Sequence, residues 1–192
     1  MNTRLKILLS SLTASLLFVS CDRRASSLPD YGPVPNFSMT DAAGHPFNSR
    51  ALSGKAWVAD FIYTNCPAAC PMMTAKMHGV EKKIHGQENI RLVSISVDPE
   101  RDTPPVLHAF AERYGGPTKQ WIFLTGTPAS IHQVAYNTFH VGDVINKINH
   151  STKFVLVDKH QHIRGYYSTL DANEDDLPKM LKDLSALSRV SE

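Results

Sequence analysis

The stretch Trp57-Val58-Ala59-Asp60-Phe61-Ile62-Tyr63-Thr64-Asn65-Cys66-Pro67-Ala68-Ala69-Cys70-Pro71 decides the fold. Its first seven residues are almost all apolar, as expected of a strand in a sheet covered on both faces. Asp60 is the exception, and it calls for a partner or a place at a sheet edge. After Cys70 and Pro71, residues 72–86 carry Met73, Met77, Val80 and Ile84 at helical spacing. The join between strand and helix thus holds two cysteines between prolines. In sheets with helical crossovers, ligands gather at the carboxyl ends of the parallel strands. A thiol at a helix start also meets partial positive charge, which favours thiolate, the form that binds metal or attacks a disulfide.

Working outward, Asn36 to Asp41 alternates and Ala43-Gly44-His45 turns the chain, which predicts a small N-terminal β-hairpin. Ile90 to Val97 is the next strand. Asp102-Thr103-Pro104 looks like a cap followed by proline in a first turn, opening a helix through Tyr114. Trp121 to Leu124 and Pro128 to about His140 supply an inserted strand and helix. Val141 to Ser151 is loop-like. Lys153 to Asp158 and His162 to Tyr167 form a hairpin, and Asn173 to Ser188 is an amphipathic closing helix. A βαβ unit makes its strands parallel, and the later hairpin adds an antiparallel pair. This order is that of an α/β, thioredoxin-like fold: a central mixed sheet flanked by helices.

The C-x-x-x-C spacing is one residue longer than a thioredoxin's. One helical turn separates positions i and i+4, so both sulfurs can share a face, close a disulfide or grip a metal. His150 comes just before the strand Lys153 to Asp158, expected to run antiparallel to the cysteine-bearing strand. Its start should lie at the edge where that strand ends, so His150 is expected beside Cys66 and Cys70. Thioredoxins have a cis proline at this point; here the sequence is Asn149-His150-Ser151-Thr152. Two thiolates and an imidazole form a soft site suited to Cu(I). Zinc remains an alternative if Asp98 or a nearby histidine adds a fourth ligand.

Residues 57–167 resemble the Sco/SenC family of copper-binding proteins that help assemble the binuclear copper centre of cytochrome c oxidase. The resemblance is carried by Tyr63-Thr64-Asn65-Cys66 with Cys70-Pro71, by Ser94 to Pro104, by Trp121 to Gly126 and by Asn149-His150-Ser151. It implies Cys66, Cys70 and His150 as copper ligands, for Cu(I) or Cu(II), and a redox role for Cys66 and Cys70 as a disulfide pair. Implied partners are the copper-bearing subunit of cytochrome c oxidase or another dithiol acceptor, with other periplasmic copper chaperones or thiol reductants. The sequence departs from the family at Pro67-Ala68-Ala69, where an acidic residue is common. Asp98, ending the neighbouring parallel strand, is a candidate to orient His150 or a partner. Met72, Met73 and Met77 are candidate thioether ligands, though methionine at helical spacing is more often core. His132, His140, His160 and His162 are assigned to structure or solvent.

Two roles compete: a copper metallochaperone, and a thiol–disulfide oxidoreductase that reduces an acceptor's cysteines. A copper sensor or redox relay would use the same residues. A peroxidase is disfavoured, because Thr64 stands two residues before Cys66 rather than three and residues 57–63 contain no proline.

At the N-terminus, Arg4 and Lys6 precede the apolar run Ile7 to Val19, too short for a spanning helix and suited to a secretory signal. Leu17-Phe18-Val19-Ser20-Cys21 resembles a bacterial lipobox, with phenylalanine where leucine is usual. The expected organisation is a lipoprotein signal peptide over 1–20, a tether over 21–35 starting at a lipidated Cys21, and one domain over 36–192; the alternative is an uncleaved signal anchor with Cys21 incidental. Asp22 points to the periplasmic face of the inner membrane. Of 20 Lys and Arg, two lie in the signal, leaving 18 against 18 Asp and Glu. The near-neutral domain lacks a basic nucleic-acid footprint.

Overall fold

In the computed structural model the chain is described over residues 28–143, 149–171 and 175–189, with the backbone alone at 142, 143, 149 and 150. The strands are β1 (Ser38–Asp41), β2 (Pro46–Asn48), β3 (Ala56–Ile62), β4 (Ile90–Ser96), β5 (Trp121–Thr125), β6 (Gly142–Asp143), β7 (Asn149–His150), β8 (Lys153–Val157) and β9 (Ile163–Ser168). The helices are α1 (Ala69–Ile84), α2 (Pro104–Glu112), α3 (Pro128–His132) and α4 (Leu177–Arg189). Seven strands form one sheet in the order β2-β1-β5-β4-β3-β8-β9, and β6 pairs with β7 apart from it. β3, β4 and β5 are parallel, while β8 runs antiparallel to β3. This is the thioredoxin-like arrangement the element order predicts, with the N-terminal hairpin joined to the sheet through β1 and β5.

All seven residues of β3 are buried, and so are all seven of β4. Alternation along β3 sorts them into two cores. Ala56, Val58 and Ile62 pack with Met73, Met77 and Val80 of α1, Leu107 and Phe110 of α2, and Met180 and Leu184 of α4. Trp57, Ala59 and Phe61 pack on the opposite face with Val93, Ile95, Ile131, Val134 and Phe139. The helical stripe read in residues 72–86 is thus core-facing, although α1 begins earlier, at Ala69. Pro71 does not delay it, because amide groups in a helix's first turn have no intrahelical acceptor anyway.

Three segments differ from the sequence reading for local reasons. The helix expected over 128–140 is α-helical only to His132, then widens into a π-turn over Gln133–Thr138. Phe139 N–H accordingly reaches back to the Val134 carbonyl at 2.9 Å. The expected loop at 141–151 contains the short β6–β7 ladder, in which His150 pairs with Gly142. Within the expected tether, residues 28–34 lie along β9. Tyr31 N–H bonds the Ile163 carbonyl at 2.9 Å, and the Gly32 carbonyl accepts from Ile163. Arg164 donates to the Leu28 and Pro29 carbonyls, and Asp30 pairs with His162 at 2.9 Å. Residues 1–27, including Cys21, lie outside the described part.

Asp60 has neither the edge nor the partner its sequence setting called for. It is fully buried at the centre of the sheet, between β4 and β8, and neither carboxylate oxygen has a hydrogen-bond partner. Burial pushes its pKa up to about 7, against a smaller pull from Ser94 opposite on β4. An unfolded aspartate ionises near pH 4, so between about 4 and 7 the folded chain holds a proton the unfolded chain has lost. The Asp60 contribution therefore falls as pH rises through this window and stays low above it. Asp60→Asn should remove that loss. In urea unfolding, the advantage of the variant over wild type should grow by a few kcal/mol, to order of magnitude, between acidic and mildly alkaline pH.

Candidate metal centre

The loop from Tyr63 to Ala68 carries the chain from β3 into α1 and presents Cys66. Ala68, at the N-cap position, has no side-chain acceptor to offer the first helical amides. The Cys66 sulfur takes that place, accepting from the Cys70 amide at 3.3 Å and from the Ala68 amide. Burial opposes a thiolate here, but these amides, the Cys70 thiol and the Tyr63 hydroxyl together outweigh it, and the Cys66 pKa is lowered. Cys70 behaves oppositely. It lies in the first turn of α1, completely buried, and burial drives its pKa well above the ordinary thiol value. The Tyr63 amide at 3.4 Å gives it only partial relief. Both residues are carried as thiols rather than as a disulfide. The pair is therefore split into a sulfur ready to act and a sulfur that holds its proton.

Asp102 holds the loop in place. Its carboxylate accepts from the Thr64 amide at 3.0 Å, the Thr64 hydroxyl at 2.6 Å and the Ser96 hydroxyl at 2.6 Å. The sequence reading assigned Asp102 and Thr103 to capping. Thr103 is the N-cap residue of α2 but makes no side-chain cap bond, and Asp102 instead ties the β4–α2 loop to the cysteine loop. Asp102 and Tyr63 are the contributors that the sequence reading did not assign to the site. The Asp102 partners, Thr64 and Ser96, lie 38 and 6 residues away along the chain, so no local pattern signals the role.

Asp98 is nearly buried and pairs with Arg101 at 3.0 Å. It lies close enough to Tyr63 that its charge helps raise the Tyr63 pKa, whose main cause is the hydrogen bond to Cys66. Met73 and Met77 are core residues, whereas Met72 is half exposed. Pro67 and Ala68 are exposed and Ala69 half-buried, so this segment beside Cys66 bears no charge. Among the four histidines assigned to structure or solvent, His162 is engaged by Asp30 and His132 stacks on Tyr136.

For His150, the third expected ligand, only the backbone is described. β8 is matched to β3 at Trp57↔Val157, Val58↔Leu156 and Ala59↔Val155. Continued to Lys153, the first residue of β8, that register reaches Phe61; His150 comes three residues earlier in the chain, in β7, paired with Gly142 of β6. The His150 side chain lies outside the described part. Among the described residues no group of three or more metal-binding side chains is assembled. A lowered thiolate beside a second thiol nevertheless suits a soft cation.

Residues 28–186 match the SCO1/SenC family profile. The chain belongs to the SCO1/SenC family. Among curated relatives, the SCO1 protein homolog of Bacillus subtilis is 31% identical over 191 residues, spanning 93% of this chain and 98% of its own. A crystal structure of a SCO1/SenC family lipoprotein from Bacillus anthracis superposes with a TM-score of 0.73 at 32% identity, covering 82% of this chain and 95% of that one. BsSco, described as a member of the Sco family of cytochrome c oxidase assembly proteins with a disulfide switch, gives 0.72 at 29% identity, with 86% and 98% coverage. Arabidopsis thaliana ScoI, solved with copper bound, gives 0.67 at 25%, with 83% and 100% coverage.

Two consequences are measurable. At neutral pH an alkylating reagent should modify Cys66 at least about tenfold faster than Cys70, as read by peptide mass spectrometry. Asp102→Ala should strand the Thr64 and Ser96 donors and lower stability by about 3 kcal/mol, whereas Thr64→Val, which keeps the amide bond, should lower it by about 1 kcal/mol. Urea unfolding of both variants checks this.

Proposed function

We propose that this SCO1/SenC protein is a copper metallochaperone that holds copper through Cys66, Cys70 and His150 and delivers it toward the binuclear copper centre of cytochrome c oxidase. The observation that carries the reading is the sulfur pair at the start of α1, one member poised as thiolate, at the sheet end toward which the β8 register directs His150. The copper-bound Arabidopsis relative and the assembly role stated for BsSco support it. Copper is the cargo. Its uptake displaces the Cys70 proton and any remaining on Cys66, so binding should release protons and weaken in acid. Transfer to a dithiol acceptor then proceeds by exchange of one sulfur ligand for another. The uncharged lip of Pro67 and Ala68 lets an acceptor approach without like-charge repulsion.

The same asymmetry favours a second reading, a thiol–disulfide oxidoreductase in which Cys66 attacks an acceptor disulfide and Cys70 resolves the mixed disulfide. The expected setting for either role is the periplasmic face of the inner membrane, anchored through lipid on Cys21. That a Bacillus anthracis relative is a lipoprotein supports the lipid anchor. The described helices include none long and apolar enough to cross a membrane.

Titration of the reduced protein against a chromophoric Cu(I) chelator should show one copper per chain. His150→Ala should weaken binding by more than about tenfold, or ~1.4 kcal/mol. Unchanged affinity in that variant would remove His150 from the ligand set. Equal disulfide-reducing rates for wild type and His150→Ala, with copper transfer by neither, would favour the oxidoreductase.

A further inference from the structure

Residues 28–34, at the end of the expected tether, are fastened to β9 by more than backbone pairing. Pro33 bridges His162 in antiparallel sense, and the Val34 amide bonds the Gln161 carbonyl at 2.7 Å. Asp30 holds the His162 ring at 2.9 Å, and Tyr31 meets Tyr166 edge-on with ring centres 5.2 Å apart. Arg164 reaches the Leu28 and Pro29 carbonyls while its Nη1 stays on Asp158 at 2.8 Å. These contacts give the strap a direction. Gln161 lies at the amino end of β3, where its side chain accepts from the Trp57 indole at 3.1 Å. Rising numbers along β9 lead away from that end: Ile163 is level with Val157 and Trp57, and Tyr166 with Val155 and Ala59. The strap is antiparallel to β9, so it enters from the carboxyl end of β3, and Leu28 packs against the core that contains Cys66 and Cys70. The chain upstream of Leu28 thus joins the domain at the end that bears the cysteine loop. That end also exposes uncharged side chains: Pro67, Ala68 and Met72 around the start of α1, and Pro105 and Val106 in the first turn of α2. Because β4 is parallel to β3, both helix starts share one edge of the sheet, and the exposed charges between them, Glu100 and Arg101, are opposite in sign.

We infer that residues 28–34 are a strap that shortens the leash to the membrane and turns the cysteine end of the domain toward the bilayer, where it meets an acceptor embedded in the same membrane. This rests on the membrane tether proposed above and does not depend on which residues hold copper. From a lipidated Cys21, the seven residues 21–27 span at most about 25 Å. An uncleaved anchor ending at Val19 leaves the eight residues 20–27, at most about 30 Å, with the same result. A domain of this size is about 40 Å across. With the strap fastened, the end opposite the cysteines therefore cannot face the bilayer. With the strap loose, the fourteen residues 21–34 would span about 50 Å and start from the other end of β9, and either end could face the membrane. The bonds along β9 thus set an orientation as well as covering a sheet edge. A freely diffusing acceptor would gain nothing from that orientation. One fixed in the bilayer can be met only by an end that points down to it.

The test uses the full-length chain, purified from bacterial membranes and reconstituted into vesicles containing a lipid with a nitroxide headgroup. A fluorescent amino acid is incorporated at position 72, beside the cysteine loop, or at position 85, past the far end of α1 and close to where Ile90 pairs with Ala56. Quenching should be at least about threefold stronger at 72 than at 85. Ten Gly and Ser residues inserted after Ala25, outside the folded part, should bring the ratio close to one. Asp30→Ala combined with Tyr31→Pro should do the same by loosening the strap, and faster exchange of the Ile163 amide, which donates to the Gly32 carbonyl, reports that loosening. Equal quenching at the two positions in wild type, or a ratio that survives the longer tether, overturns the inference. A chain that does not stay on the vesicles refutes the tether and the orientation with it, while the copper ligands are judged separately by the chelator titration. For the acceptor, a disulfide carried on lipid headgroups should react with Cys66 at least about threefold faster in wild type than in the lengthened chain, whereas a soluble disulfide should react equally with both. Equal rates on the headgroup disulfide would refute the membrane-borne acceptor.

Discussion

A strand buried on both faces has no side left for chemistry, so whatever it contributes must be placed where it ends. β3 is such a strand, and the arrangement of the molecule follows from it. Its alternate residues divide the interior into two cores, one under α1, α2 and α4 and one under the π-turned segment and Phe139. Its carboxyl end must turn sharply to let α1 cross back over the sheet. The Thr64 amide and hydroxyl at that turn would be left without partners if Asp102 did not reach across from the β4–α2 loop. The cysteine loop is therefore fixed by the same burial that fixes the core.

The difference between the two thiols follows from where the helix starts. A helix's first amides need acceptors, and Ala68 has none in its side chain. Cys66 fills that need and is stabilised as an anion by doing so. Cys70, one turn further on, faces the core and loses the water that would solvate its charge. An oxygen acceptor in place of the Cys66 sulfur would cap the helix as well, but it would supply no soft nucleophile. Capping and reactivity are one interaction here.

Much of this was legible in the sequence because burial leaves periodic traces. The apolar run at 57–63, the helical stripe at Met73, Met77, Val80 and Ile84, and the antiparallel β8 all follow from patterns that only a covered sheet explains. The antiparallel direction of β8, on which the expected approach of His150 rests, also follows from chain order. What the sequence hid are interactions with no period. Asp102 stands two residues before a proline, where a cap is the commoner role, and only the folded chain shows Thr64 within its reach. The residues before Val34 resemble a polar tether, yet their backbone finds the open edge of β9, a pairing that depends on an unfilled ladder rather than on side-chain type. The π-turn after His132 is equally silent, since Val134, Ala135 and Phe139 satisfy an α-helical spacing nearly as well.

Asp60 marks the point where local rules and the fold disagree. A carboxyl at the centre of a mostly apolar strand opposes the core around it, and a residue of similar size without charge would suit the site better. Natural sequences tolerate such conflicts chiefly where function requires them. Asp60 lies on the face of β3 whose Val58 and Ile62 pack in the core with Cys70, where burial first, and the Asp60 charge after it, raise the Cys70 pKa. The opposite core, built from Trp57, Ala59, Phe61 and their neighbours, holds no comparable group among its described members. Packing alone would favour a carboxyl on neither side of β3, so its presence on the side that carries the cysteine pair is not a packing feature.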